Sequence, residues 1–135
     1  RDLDCEVPTL DSCTINPYDV WPASHHKVLP ERMPKPEASR KVLVVGGGCG
    51  GLQTAITAAD RGHQVILCEK AGVLGGLINF TDHTDHKVDI RNFKDLLIRD
   101  VEKRPIKVRL NCEVTPELIK EIAPEAVVLA VGSDD

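Results

Sequence analysis

The sequence predicts an α/β fold: an open, doubly wound parallel sheet, preceded by an irregular proline-rich segment. Three observations predict it. From Lys41 onward, strand-like and helix-like runs alternate in the order β-α-β-α-β-α-β, which indicates a parallel sheet with right-handed crossovers. The strand-like runs are short and β-branched, as in strands buried on both faces. A glycine-rich turn joins the first strand to the first helix.

"KVLVV" (41–45) is the first strand. Leu52, Ala55, Ile56 and Ala59 repeat at helical spacing, and Gly62 suits the position just past that helix's end. "QVILCE" (64–69) is the second strand. Asp89 is placed to cap a helix with the apolar face Ile90, Phe93, Leu97 and Val101, ending near Pro105. "IKVRL" (106–110) is the third strand. Thr115-Pro116-Glu117 pairs a cap with proline at the first helical position, opening a short helix to about Ile122. "AVVLAVG" (126–132) is the fourth strand. The expected strand order is 3-2-1-4, with Gly46 to Gly51 at the carboxyl end of the first strand.

Residues 1–40 differ from the rest. They hold six of the nine prolines, together with Tyr18 and Trp21, the only tyrosine and tryptophan. No strand or helix period persists there, and proline fixes φ and removes donors. The expected division is an irregular linker over 1–40 and a nucleotide-binding domain over 41–135. The chain begins at Arg1 without a methionine and stops at Asp135, just beyond the fourth strand. It is therefore expected to be a piece of a longer protein.

Composition excludes several functions. A net charge of −4 and a pI near 5.7 oppose nucleic-acid binding, which needs a basic surface. No apolar run approaches the roughly 18 residues of a spanning helix, and no signal-peptide pattern is visible; no membrane association is expected. The five cysteines (5, 13, 49, 68 and 112) are scattered, without a CxxC pair. They suggest free thiols in a reducing cytoplasm.

The glycine turn carries the chemistry. Gly46-x-Gly48-x-x-Gly51 lies between a strand and a helix, where a Rossmann-type dinucleotide fingerprint must lie. The first glycine permits the tight turn and the second lets the backbone approach a pyrophosphate. The third lets the helix pack on the strand. Free N–H groups and the helix dipole then hold phosphate charge, with Cys49 and Gly50 inside the same loop. Glu69, 18 residues beyond Gly51, stands where an acid accepts from a ribose hydroxyl and repels a 2′-phosphate. A solvated glutamate at a strand end is the plainer alternative. Lys70 follows it, and Gly75-Gly76 completes E-x5-G-G, a combination that favours FAD or ADP over a simple NAD domain.

These residues carry a family resemblance. "KVLVVGGGCGGLQTA", "RGHQVILCEKAGVLGG" and "EAVVLAVGS" resemble the first FAD-type segment of flavoproteins with two dinucleotide-binding domains. The upstream "SCTINP" (12–17) resembles the stretch that joins an old-yellow-enzyme-like barrel to this domain in 2,4-dienoyl-CoA reductase, enoate reductases and trimethylamine dehydrogenase. The resemblance implies FAD or ADP on residues 41–135. In the full-length protein it also implies FMN, a [4Fe–4S] cluster and NAD(P)H. It further implies that Cys13 is the last cluster ligand, the others lying before Arg1; Cys5 is out of register. Gly132 would approach the cofactor through its backbone. Partners would be an adenine dinucleotide and the rest of the same polypeptide, a barrel and a second nucleotide domain. The function implied is the FAD-binding part of an NAD(P)H-dependent flavin and iron–sulfur oxidoreductase, of enoate or dienoyl-CoA type. The isolated piece would be inactive. The alternative is a structural ADP-binding module, as in trimethylamine dehydrogenase.

The chain departs from the family pattern at Cys49 and Gly50, which replace proline and alanine and loosen the expected helix start, and at Val131, which replaces threonine. Cys49 at a helix N-terminus invites a reactive-thiol reading, but it has no cysteine near it in sequence. Cys68 and Cys112 read as core or strand-edge residues. "HH" (25–26) and "DHTDH" (82–86) read as polar segments, the second over the cofactor cleft, rather than metal sites. His63 reads as structural.

Overall fold

The computed structural model describes residues 35–81 and 84–133. The expected roles of residues 1–34, among them Cys13 and the histidine pair at 25–26, lie outside the described residues, as do Asp82 and His83.

Four parallel strands form one sheet: β1 (Lys41–Val45), β2 (Gln64–Cys68), β3 (Ile106–Arg109) and β4 (Ala126–Leu129). Their order is β3-β2-β1-β4, all neighbours parallel, as the alternating pattern predicts. Register places Val45 opposite Cys68 on one side and Leu129 on the other. The carboxyl ends of β1, β2 and β4 are therefore level. The connection out of β1 turns toward β2, while the chain re-enters on the other side as β4. That reversal makes the crevice in which doubly wound sheets bind ligands.

Helices cover both faces. α1 (Cys49–Asp60) and α3 (Val88–Glu102) lie on one, separated in sequence by the four-residue α2 (Ile78–Thr81) and a 3₁₀ turn at Asp85–Lys87. Val42, Val44, Val65 and Leu67 pack there against Leu52, Ala55, Ile56, Leu97 and Val101. α4 (Pro116–Ile122) covers part of the other face, where Leu43, Cys68 and Ile122 are buried with Val45, Ile66, Cys112, Leu118 and Ile119 around them. Alternation along each strand divides its side chains between the two clusters.

The helix ends follow local rules with one correction. Gly62, at φ +94°, follows the end of α1, and its N–H donates to the Ala59 carbonyl at 2.8 Å. Thr115 caps α4 as expected, its hydroxyl accepting from the Leu118 N–H at 3.3 Å, with Pro116 in the first turn. Asp89 does not cap α3. The helix begins at Val88, so Asp89 lies inside the first turn, where its charge still complements the positive end of the dipole. Of the apolar face expected for α3, Leu97 and Val101 are buried, whereas Ile90 is 40% exposed. His86 belongs to the 3₁₀ turn that leads into α3, and His63 Nδ1 accepts from the Arg40 N–H at 3.1 Å, a structural use. Arg104 joins α1 to the turn after α3 by a two-pronged pair with Asp60, at 2.7 and 2.9 Å.

Candidate functional site

The chain leaves β1 at Val45 and crosses the carboxyl edge of the sheet as Gly46–Gly48 before entering α1 at Cys49. The Gly46 N–H still bonds the Cys68 carbonyl at 2.8 Å, so the turn begins without a break in the ladder. Gly48 is the residue at the head of α1; having no side chain, it caps nothing, and no acid stands in the first turn. The N–H groups of Cys49, Gly50 and Gly51 have no intrahelical acceptor. They and the dipole offer an anion-binding end that no carboxylate of the helix neutralises.

Backbone clashes force glycine at Gly46, where a Cβ would run into the Ala130 carbonyl oxygen, and at two further places. A Cβ on Gly51 would run into the Gly46 carbonyl, so only glycine lets α1 sit this close beneath the turn. Gly76, at φ +55°, brings its backbone against Gly48: a Cβ there would lie 2.9 Å from the Gly48 Cα. Gly48 and Gly76 thus meet backbone to backbone, a contact that a side chain on Gly76 would prevent. Gly50 faces open space. Gly132 is exposed at the end of β4, also in open space.

Glu69 is not a solvated residue at a strand end. It is 8% exposed, the one buried charged side chain among the described residues. One carboxylate oxygen accepts from the Gly47 N–H at 2.5 Å and the other from the Ala71 N–H at 2.7 Å. Each carboxylate oxygen has two acceptor positions, so each keeps capacity for a hydroxyl donor. Lys70 is exposed beside it. The segment after Glu69 folds back on the glycine turn: the Gly75 N–H donates to the Gly47 carbonyl at 2.8 Å. Asn79 steadies this return, bonding the Leu74 carbonyl at 3.0 Å and receiving Lys94 Nζ at 3.1 Å.

Gly47 is the residue that sequence reasoning missed. It is a variable position of the fingerprint, yet both its N–H and its carbonyl hold the site together. No sequence signal marks it, because its role needs only a backbone. Cys49 is placed differently from a reactive thiol. It begins α1 and packs against the core, and burial pushes its thiol up. Its backbone N–H is one of the three free donors at the head of α1. Cys68 and Cys112 lie on the opposite sheet face as neighbours, a proximity that 43 intervening residues conceal in the sequence. No cluster of metal-ligating side chains occurs among the described residues, and no described helix is long and apolar enough to cross a membrane.

Residues 41–122 match the family model described as FAD dependent oxidoreductase. The chain belongs to that family. The NADH oxidase of Thermoanaerobacter brockii is 40% identical over 122 residues, covering 90% of this chain and 18% of that protein. The cinnamate reductase of Clostridium sporogenes is 40% identical over 99 residues, covering 73% of this chain and 15% of that protein. The solved structure of histamine dehydrogenase from Rhizobium sp. 4-9 matches with a TM-score of 0.72 and 28% identity, over 78% of this chain and 15% of that one. The chain thus spans less than a fifth of each of these three proteins. The family resemblance carried by the glycine turn, Glu69 and Gly75-Gly76 is shown by these matches.

The residues present fit the ADP half of FAD. The head of α1 supplies donors without an opposing acid, Gly48 and Gly76 put no side chain beside it, and the buried Glu69 carboxylate keeps acceptor capacity nearby.

Proposed function

We propose that residues 41–135 hold the ADP half of FAD within an NAD(P)H-dependent flavin and iron–sulfur oxidoreductase of the enoate or dienoyl-CoA reductase type. The observation that carries the reading is the buried Glu69 carboxylate next to the uncapped head of α1. In this reading the N–H groups of Cys49, Gly50 and Gly51 hold the pyrophosphate. Gly46, Gly48, Gly75 and Gly76 let the backbone approach, and Glu69 accepts from the ribose hydroxyls. Lys70 lies at the rim, and Gly132 approaches through its backbone. FAD supplies two-electron transfer when bound, while the protein binds, orients and tunes.

Kinship with the NADH oxidase and the cinnamate reductase supports the donor and the substrate class. Residues 1–40 then serve as the linker from a barrel domain that carries FMN. Cys13 is the last thiolate ligand of a [4Fe–4S] cluster, and the whole protein works in the cytoplasm. FAD, FMN and iron released from the intact protein test this reading. Stoichiometric FAD and FMN with about four irons per chain support it, and a preparation free of flavin and iron overturns it.

The resemblance to trimethylamine dehydrogenase leaves a second reading, a structural ADP module without a redox role. Bound ADP in place of FAD in the same extraction would select it.

A further inference from the structure

The thiols of Cys68 and Cys112 occupy one cluster beneath the nucleotide edge of the sheet, and nothing in the proposed function uses them. Cys68 ends β2 and is 1% exposed, and Cys112 packs against it from the connection between β3 and α4. Two backbone bonds set their proximity. The Glu69 N–H donates to the Arg109 carbonyl at 2.9 Å, and the Cys112 N–H donates to the Glu69 carbonyl at 2.9 Å. Cys112 is therefore held alongside the residue after Cys68. Both side chains belong to the one cluster on this sheet face. Both are reduced. Cys49, the remaining described cysteine, belongs to the cluster on the other sheet face and cannot join them.

We propose that Cys68 and Cys112 form a dithiol that hydrogen peroxide closes to a disulfide, tying the end of β2 to the segment after β3. Cys112, the partly exposed partner, reacts first. Its thiolate sulfur attacks one peroxide oxygen, the O–O bond breaks, and hydroxide leaves as a sulfenic acid forms. The Cys68 sulfur, giving up its proton, then attacks the Cys112 sulfur. The S–S bond forms, the S–O bond breaks, and water leaves. Overall, two thiols lose two hydrogens and one peroxide becomes two waters. Cys68, buried behind it, serves as the resolving partner. The bridge closes 43 intervening residues into a loop, which restricts the unfolded chain more than the folded one.

Peroxide treatment of the 135-residue chain, alkylation of remaining thiols and peptide mapping test this directly. The expected product joins the peptides containing Cys68 and Cys112, with a loss of two hydrogens that a thiol reductant reverses. A Cys5→Ser, Cys13→Ser, Cys49→Ser variant should give the same bridge, and its Tm should rise by several degrees on closure. In Cys112→Ser, the linkage and the Tm rise should both vanish. Separate alkylation of Cys68 and Cys112 after peroxide, or a bridge from either to another cysteine, overturns the proposal. If the triple variant fails to fold, the mapping on the unaltered chain decides alone. None of these readouts depends on nucleotide binding, so they stand or fall apart from the role proposed for Glu69.

Discussion

Glu69 and Gly47 are joined by a 2.5 Å hydrogen bond between a buried carboxylate oxygen and a backbone N–H 22 residues away. The bond spans the carboxyl ends of β2 and β1, so the acid that closes one strand also shapes the turn leaving the other. Gly75 seals the same turn from the far side through the Gly47 carbonyl. The glycine turn and E-x5-G-G are therefore one structural unit.

Glu69→Ala should weaken both fold and site. It leaves the N–H groups of Gly47 and Ala71 without their acceptors, at a cost of about 1–3 kcal/mol for each that stays buried and unpaired. Urea unfolding should show the loss. Calorimetry with NAD and NADP should also show that any preference for the unphosphorylated ribose has gone. An unchanged preference would mean that Glu69 does not meet the ribose.

Two adjacent glycines should respond in opposite ways. Gly51→Ala drives a methyl into the Gly46 carbonyl and should destabilise by about 1–3 kcal/mol or more. Gly50→Ala meets nothing within 4 Å and lies in a helix, so it should be neutral or stabilising by up to about 1 kcal/mol. Thermal melts of the two variants separate packing from propensity.

Ala123→Gly should stabilise the chain. Ala123 ends α4 in the left-handed region at φ +48°, where a Cβ costs about 1–2 kcal/mol. Part of that gain is offset by the greater freedom of glycine in the unfolded chain. A rise in the denaturation midpoint without a change in slope is the expected result.

Stability should fall at alkaline pH through Cys68. Burial first, and then the hydrogen bond and charge of Cys112, push its thiol from 9.0 up to about 11, against the opposing pull of the Arg109 cation. Above pH 9 the unfolded chain releases this proton while the folded chain retains it, so the contribution is complete below 9 and is lost as pH approaches 11. The loss is on the order of 2–3 kcal/mol. Cys68→Ser should flatten the decline measured by denaturant unfolding across that window.

The 135-residue chain should purify colourless and bind ADP only weakly. In the proposed reading its site reaches only the adenosine and pyrophosphate half of FAD, and each 1.4 kcal/mol of lost contact is about tenfold in affinity. Absorption after gel filtration checks this. A yellow protein with stoichiometric FAD would show that these residues form a complete flavin domain.

Fold order and the family to which the chain belongs were both legible in the sequence. Strand and helix periods, the proline after Thr115 and the glycine after α1 are local signals, set by contacts among residues a few positions apart. The fingerprint glycines and Glu69 were legible for a related reason, because a tight turn and a strand end demand those residue types wherever they occur. Tertiary contacts were needed to settle that Asp89 is not a cap, that Gly47 holds the turn from both sides, and that Cys68 meets Cys112. Each of these depends on which elements lie side by side and in what register. A pairing across 22 or 43 residues leaves no period in the chain, because it exists only once the parallel sheet has brought those backbones together.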